Sequence, residues 1–476
     1  MLIRGAEVGG RARRDVRIAA GRIAEIGTPL ARASGEPAID ARGGALLPGL
    51  HDHHLHLHAL AAAQSSIACG PPAVANEAQL AAALRSTAAL QVSRSEPKAS
   101  EVHKAGGEWL RGVAYHESVA GELDRERLDA WVADRPLRIQ HRSGALWIFN
   151  SAGVKRLGLE PGPEAQTGRL FRSDTWLRDR IGGELPDLAA VGAQLASYGI
   201  TGISDASASN GATALRHFCA AALRGALPQH LLVMGEPDLP EPAPGVRVAR
   251  GAVKALLDDP SLPDFDELCA RIRAAHEAGR NFAVHCATRA QGVFAAAAFR
   301  DAGVRRGDRL EHASVAPPEL VGLVAGLGLT VVTQPNFVAE RGDDYRRDVE
   351  PVDLPWLYRA RGWLAAGVPL AAGSDAPYGA PDPWRGIAAA VRRASASGAA
   401  LGPDEILTPE QALALYLAPL SDPGGPARRV AVGAPADLCL LDRPWRDARE
   451  RLVSGDVCAT WCAGRLVWQR DAETSN

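Results

Sequence analysis

The sequence predicts an α/β fold: a parallel (β/α)8 TIM-like barrel, with a small β-sandwich built from both termini and an insertion subdomain. Three observations predict it. Short β-like apolar runs alternate with Ala-rich helical stretches through the middle of the chain, the pattern of a parallel sheet covered by helices. Eight such runs can be counted: 45–56, 200–204, 230–234, 252–257, 282–285, 309–312, 330–334 and 369–374. Potential metal ligands recur late in several of them, where a barrel converges its strand ends on one point.

Residues 1–47 read as short strands and turns, with Gly9-Gly10 and Ala20-Gly21 as turn signals, giving the N-terminal part of the sandwich. Residues 48–60 and 186–420 form the expected barrel, whose helix from Phe265 through Ala275 is stopped by Gly279. The stretch between His56 and Ile200 is too long for a loop, so residues 61–185 are expected to form a subdomain over the barrel mouth. Residues 421–476 repeat the texture of the N-terminus. They hold a strand ending at Leu441 and a pair near Val457–Trp461 and Arg465–Trp468, turned at Ala463-Gly464, so the two ends are expected to fold together.

The 476 residues carry a formal net charge of −2, with 46% hydrophobic and 23% charged residues, as in ordinary soluble enzymes. That balance gives no reason to expect nucleic acid or a membrane as partner, and a small-molecule substrate is expected, with the chain single or in a homo-oligomer. Seven cysteines (69, 219, 269, 286, 439, 458, 462) are scattered without a C-x-x-C pair, which fits reduced thiols in the cytoplasm. Met1-Leu2-Ile3-Arg4 runs straight into charged sequence, and no apolar run reaches the length of a membrane span.

Five of the thirteen histidines fall within His51–His58. Imidazole is the commonest neutral ligand for divalent metals, and residues two apart in a strand share a face, so His54 and His56 can grip one ion together. Lys254, His285, His312 and Asp375 occupy comparable late positions in or just after the fourth, fifth, sixth and eighth runs. Taken singly, His285 reads as a hydrogen-bonded core residue and Asp375 as a helix cap; taken together they read as a metal site. Lys254 stands out because the chain has only four lysines against 49 arginines. A buried amine can lose its proton or be carboxylated, which a guanidinium does not do under ordinary conditions.

The run Leu47-Pro48-Gly49-Leu50-His51-Asp52-His53-His54-Leu55-His56 resembles the first-strand signature of the amidohydrolase superfamily. Arg309-Leu310-Glu311-His312-Ala313 and Ala372-Gly373-Ser374-Asp375-Ala376-Pro377 resemble its sixth- and eighth-strand motifs. Trp147, Asn150-Ser151 and Val332-Thr333-Gln334-Pro335 are similar to the branch containing N-substituted formamide deformylases. The resemblance implies metal-dependent hydrolysis of a carbon–nitrogen bond (amide, N-acyl or N-formyl) in a small molecule. It places His54, His56, His285, His312 and Asp375 on a divalent metal, expected to be zinc, with carboxylated Lys254 bridging two ions. Metal-activated hydroxide would attack, Asp375 would act as general base and then acid, and His312 would help polarise the carbonyl.

Two departures bear on substrate: the fifth-strand histidine is followed by Cys286-Ala287-Thr288-Arg289 rather than the branch's Gly-Asp pair, and Ala145 stands two residues before Trp147 in place of a histidine. Trp147, Arg289, Gln334 and Tyr378 are the substrate-binding candidates, with Trp384 a further one. Asp52 and His58 are expected to orient the ligands, His51 and His53 to pack against helices, and His103, His116, His141, His217, His230 and His276 to be structural. A single-metal site with unmodified Lys254, a one-metal deaminase of a heterocycle and a non-catalytic scaffold barrel are the alternatives.

Overall fold

A computed structural model describes residues 1–94, 109–182 and 185–471; His103 lies outside them. The chain divides into two compact units, one of residues 1–57 with 187–476 and the other of residues 58–186.

The larger unit contains an eight-stranded parallel sheet in sequential order: β1 (Leu50–Leu55), β2 (Ile200–Asp205), β3 (His230–Gly235), β4 (Val248–Leu256), β5 (Phe282–Cys286), β6 (Arg309–His312), β7 (Thr330–Thr333) and β8 (Leu370–Ala372). It curls until its edges meet: Asp375 N donates to His54 O at 2.7 Å, and His56 N donates to Ala376 O at 2.8 Å. β6, β7 and β8 are buried along their whole length, as strands covered on both faces must be. Helices return the chain between strands, and their starts are chemically marked. Asp264 accepts from the Asp266 and Glu267 amides to begin Phe265–Glu277, and Thr288 with Gln291 forms a capping box for Arg289–Ala302.

The expected single strand over 45–56 is in fact two. Leu46–Pro48 pairs antiparallel with Leu438–Leu441 in the sandwich, and only Leu50–Leu55 enters the barrel. Pro48 offers no amide hydrogen to continue a ladder, and a Cβ on Gly49 would lie 2.2 Å from the Thr201 side chain, so the chain crosses between layers there. Four strands from each end of the chain, counting Leu46–Pro48 with the C-terminal group, make the two sandwich sheets. Ile3, Val16, Ile23, Leu46, Leu440 and Trp461 share one core between them.

The smaller unit has a five-stranded sheet in the order Arg169–Phe171, Leu146–Phe149, Leu137–His141, Leu110–Tyr115, Ile67–Ala68. Leu110, Leu137, Ile139 and Ile148 pack into one of its cores, and Trp147, Phe149, Leu157 and Leu170 into another. Among the described residues, no helix is long and apolar enough to cross a membrane.

Candidate metal centre

The C-terminal strand ends of the barrel bring together side chains that are remote in sequence. One ligand atom from each of His54, His56 and Asp375 lies within 4.8 Å of the others. Asp375 Oδ1 is 3.1 Å from His56 Nε2 and 3.5 Å from His54 Nε2. The His312 ring centroid is 4.7 Å from that of His54, and His285 is 4.3 Å from His312, so the four imidazoles form a continuous cluster.

Three of these histidines have the Nδ1 atom committed elsewhere. His54 Nδ1 meets Glu311 Oε2, His56 Nδ1 meets Ser207 Oγ at 2.9 Å, and His312 Nδ1 meets Gln334 Oε1 at 2.7 Å. A partner on one ring nitrogen fixes the tautomer and turns the other towards a cation. Burial, the largest influence, holds the His54 and His312 pKa values below the ordinary range and lowers that of His285 to about 3. Burial alone would raise the Asp375 carboxyl, but the His56 hydrogen bond and the surrounding imidazoles outweigh it and hold the group well below the usual carboxylate range. Neutral imidazoles beside an ionised carboxylate make a donor set for a borderline divalent ion.

The backbone pays attention to the same point. His312, Ala313 and Asp375 adopt φ values of 68°, 44° and 55°, the left-handed region that costs a non-glycine residue about 1–3 kcal/mol. Gly373 is required by contact: a Cβ there would sit 2.4 Å from His54 N. Asp52 ties the first and last strands together by accepting from His54 N at 3.0 Å and Ser374 N at 3.1 Å, so it acts on the backbone rather than on a ring.

Sequence reasoning passed over Glu311, though it lay inside a quoted motif. It is fully buried, bonds Arg309 Nε at 2.5 Å, and stands 3.7 Å from Lys254 Nζ besides its contact with His54. Burial raises its pKa, but Arg309, Lys254 and His54 outweigh that and keep it ionised. The signal was available: Arg309 and Glu311 are alternate charged residues in a strand that is buried throughout.

The other candidates fall in different places. Gln334 Oε1 is taken by His312, so its first role is to hold that ring. Arg289, half exposed, pairs with Asp353 at 3.4 Å. Tyr378 packs its ring edge-on to His56, 5.5 Å between centroids. Trp384 is buried and donates to Tyr198 O. Asp375 caps no helix; Asp382 caps the one that follows. Trp147 belongs to the smaller unit, where Arg111 and Arg138 stack on it, and Asn150 spends its amide on backbone groups of Leu137, Gly153, Val132 and Arg135. His116 and His141 lie near Glu117, His230 near Asp437 and His276 near Asp308.

A closed parallel barrel with a buried His/Asp centre at its C-terminal strand ends defines a metal-dependent hydrolase. The chain belongs to the amidohydrolase family, whose model matches residues 38–468, and it is an enzyme that hydrolyses carbon–nitrogen bonds. It is 26% identical to the N-substituted formamide deformylase of Arthrobacter pascens, over 96% of this chain and 95% of that one. In fold it resembles an uncharacterized metal-dependent hydrolase from Pyrococcus horikoshii (TM-score 0.72, 20% identity, 93% of this chain and 97% of that one). It also resembles N-isopropylammelide isopropylaminohydrolase from Burkholderia multivorans (TM-score 0.55, 17% identity, 98% of both chains).

Proposed function

We propose that this enzyme cleaves an amide, N-acyl or N-formyl bond in a small molecule. Zinc is the proposed divalent ion, held by His54, His56 and Asp375, with His285 and His312 as the adjoining ligands. The observation that carries this is the convergence of the His54, His56 and Asp375 donors while Glu311 and Ser207 hold the two imidazoles from behind. When bound, the ion supplies Lewis acidity, lowering the pKa of water towards about 7 and polarising a carbonyl. Asp375 takes the proton of the attacking water and returns it to the leaving nitrogen. His312, kept in one tautomer by Gln334, orients the carbonyl.

Lys254 decides the number of ions. Burial brings its amine down to about 8, so a neutral fraction exists for carboxylation, and Nζ is buried without a hydrogen bond. Glu311 opposes the modification. Nζ stands 3.7 Å from the Glu311 carboxylate, which attracts the amine in its cationic form and repels a carbamate unless metal ions offset the two negative charges. That contact favours one ion with Lys254 kept as the cationic partner of Glu311, against the bridged two-ion arrangement. The similarity to the formamide deformylase supports the N-formyl reading.

The test is hydrolysis of a panel of N-formyl amines, N-acyl amino acids and cyclic amides by zinc-loaded enzyme. Turnover of at least one amide class with one zinc per chain is expected. Ammonia release from amino-heterocycles without amide cleavage would instead make it a deaminase, and activity that rises with added bicarbonate would restore the carboxylated lysine.

A further inference from the structure

The smaller unit carries a cationic cluster that is no part of the proposed metal centre. Arg111 and Arg138 are direct register partners on neighbouring parallel strands, Leu110–Tyr115 and Leu137–His141. Like charges directly opposite one another destabilise a sheet. Both are half-buried on the face opposite Leu110, Leu137 and Ile139, which fill the hydrophobic core. The Arg138 guanidinium is 5.4 Å from the Trp147 centroid and 5.6 Å from that of Trp109. Arg111 lies 5.6 Å from the same Trp147, and Arg156 5.4 Å from Trp109.

No acidic side chain among the described residues pairs with Arg138, and its Nε is buried without a hydrogen-bond partner. Burial, with Arg111 adding to it, brings the Arg138 pKa down to about 10, the mark of a cation held without a counter-charge. Arg347, by contrast, sits between Asp344 and Asp348. Aromatic faces supply part of the missing stabilisation of Arg138 but leave its Nε without an acceptor, while Arg111 Nη1 reaches Ser66 Oγ at 3.4 Å.

We propose that Arg111 and Arg138, walled by Trp147 and Trp109, bind the carboxylate of a small organic acid, with the indoles covering the ligand's apolar or aromatic flank. The arginine fork matches a carboxylate in two parallel hydrogen bonds, and an anion beside Arg138 supplies the counter-charge that this guanidinium lacks among the described residues. The site stands independently of the hydrolytic reading, because its occupancy is measured as binding. The carboxylate has two sources: an anionic substrate or its acid product, and a separate organic acid.

Sodium benzoate titrated calorimetrically into the full-length protein tests it, beside the His54→Ala protein, in which carboxylate binding at the metal centre is weakened. Saturable, salt-sensitive binding is expected in both. Arg138→Gln weakens it by ~10-fold or more and Arg138→Lys by a smaller factor, because lysine keeps the charge and loses the fork. Unchanged melting temperatures establish that both variants are folded. Binding that is unaffected by Arg138→Gln, or that disappears in His54→Ala, overturns the site, as does absence of saturable binding. For the source, Arg138→Gln raises KM for carboxylate-bearing amides and leaves neutral amides alone if the ligand is the substrate. It leaves both KM values alone, with benzoate binding still lost, if the ligand is a separate acid.

Discussion

Four histidines within one short stretch, His51, His53, His54 and His56, meet two different fates. His54 and His56 each have Nδ1 held by an oxygen, from Glu311 and Ser207, and Nε2 within 3.5 Å of Asp375. His51 gives Nδ1 to the Ala418 carbonyl, and a Cβ on Gly202 would strike its ring at 2.4 Å, so it is a packed core residue. His53 is wholly buried with neither ring nitrogen bonded, and burial, aided by the charges of Arg309 and Arg428, lowers its pKa to about 3. A histidine is made a ligand by what holds its second nitrogen and by what faces the first, and the count of histidines in a run carries neither fact.

The largest way to break this contrast is at the proposed ligands. His54→Ala and Asp375→Asn are each expected to lower kcat by ~10³-fold or more, since both remove a donor from the converged set. Retention of wild-type turnover by either, measured on whichever amide proves to be the substrate, contradicts the assignment. Glu311→Gln comes next. It keeps the shape but removes the charge that faces His54, Arg309 and Lys254, so metal affinity should fall by about 10–100-fold in a chelator competition. Gln334→Ala frees the His312 ring and should sit at the lower end of that range, with kcat falling more than KM rises.

The other side of the contrast is sharpened by pH. His53 has a folded-state pKa of about 3 against an ordinary 6.5, so above pH 6.5 neither state binds the proton and its contribution is constant. Between pH 6.5 and 3 the unfolded chain takes up the proton first, and stability is lost by up to ~1.4 kcal/mol per pH unit. His53→Leu removes that dependence. Urea unfolding should show the variant gaining about 2 kcal/mol on wild type between pH 7 and pH 5, with activity at pH 7 little changed. Parallel stability curves for the two proteins would mean His53 is not held neutral.

Much of this was legible in the chain. β5 and β7 were readable because parallel strands buried on both faces give continuous apolar runs. β6, Arg309-Leu310-Glu311-His312, was readable instead from its motif and its place between helical stretches, and all three lie where the runs at 282, 309 and 330 place them. His54, His285, His312 and Asp375 could be singled out as candidates because each lies near or just past the end of a strand, and strand ends converge in a barrel. The break at Pro48-Gly49 was hidden by apolar residues on both sides that belong to different layers. Glu311 was hidden by its neighbour: in Glu311-His312 the imidazole drew the functional reading, and only the third dimension brings the carboxylate to His54, 257 positions away. The cross-strand pairing of Arg111 with Arg138 also needed the sheet register, which periodicity does not give.

The most direct measurement of the central claim is metal content. Elemental analysis of the wild-type protein and its His54→Ala and His53→Leu variants, purified with zinc present, should find at least one ion per chain in the wild type and in His53→Leu, and loss of the ion in His54→Ala. Equal metal in His54→Ala and wild type would show that the converged histidines and Asp375 are not where this enzyme holds its cation.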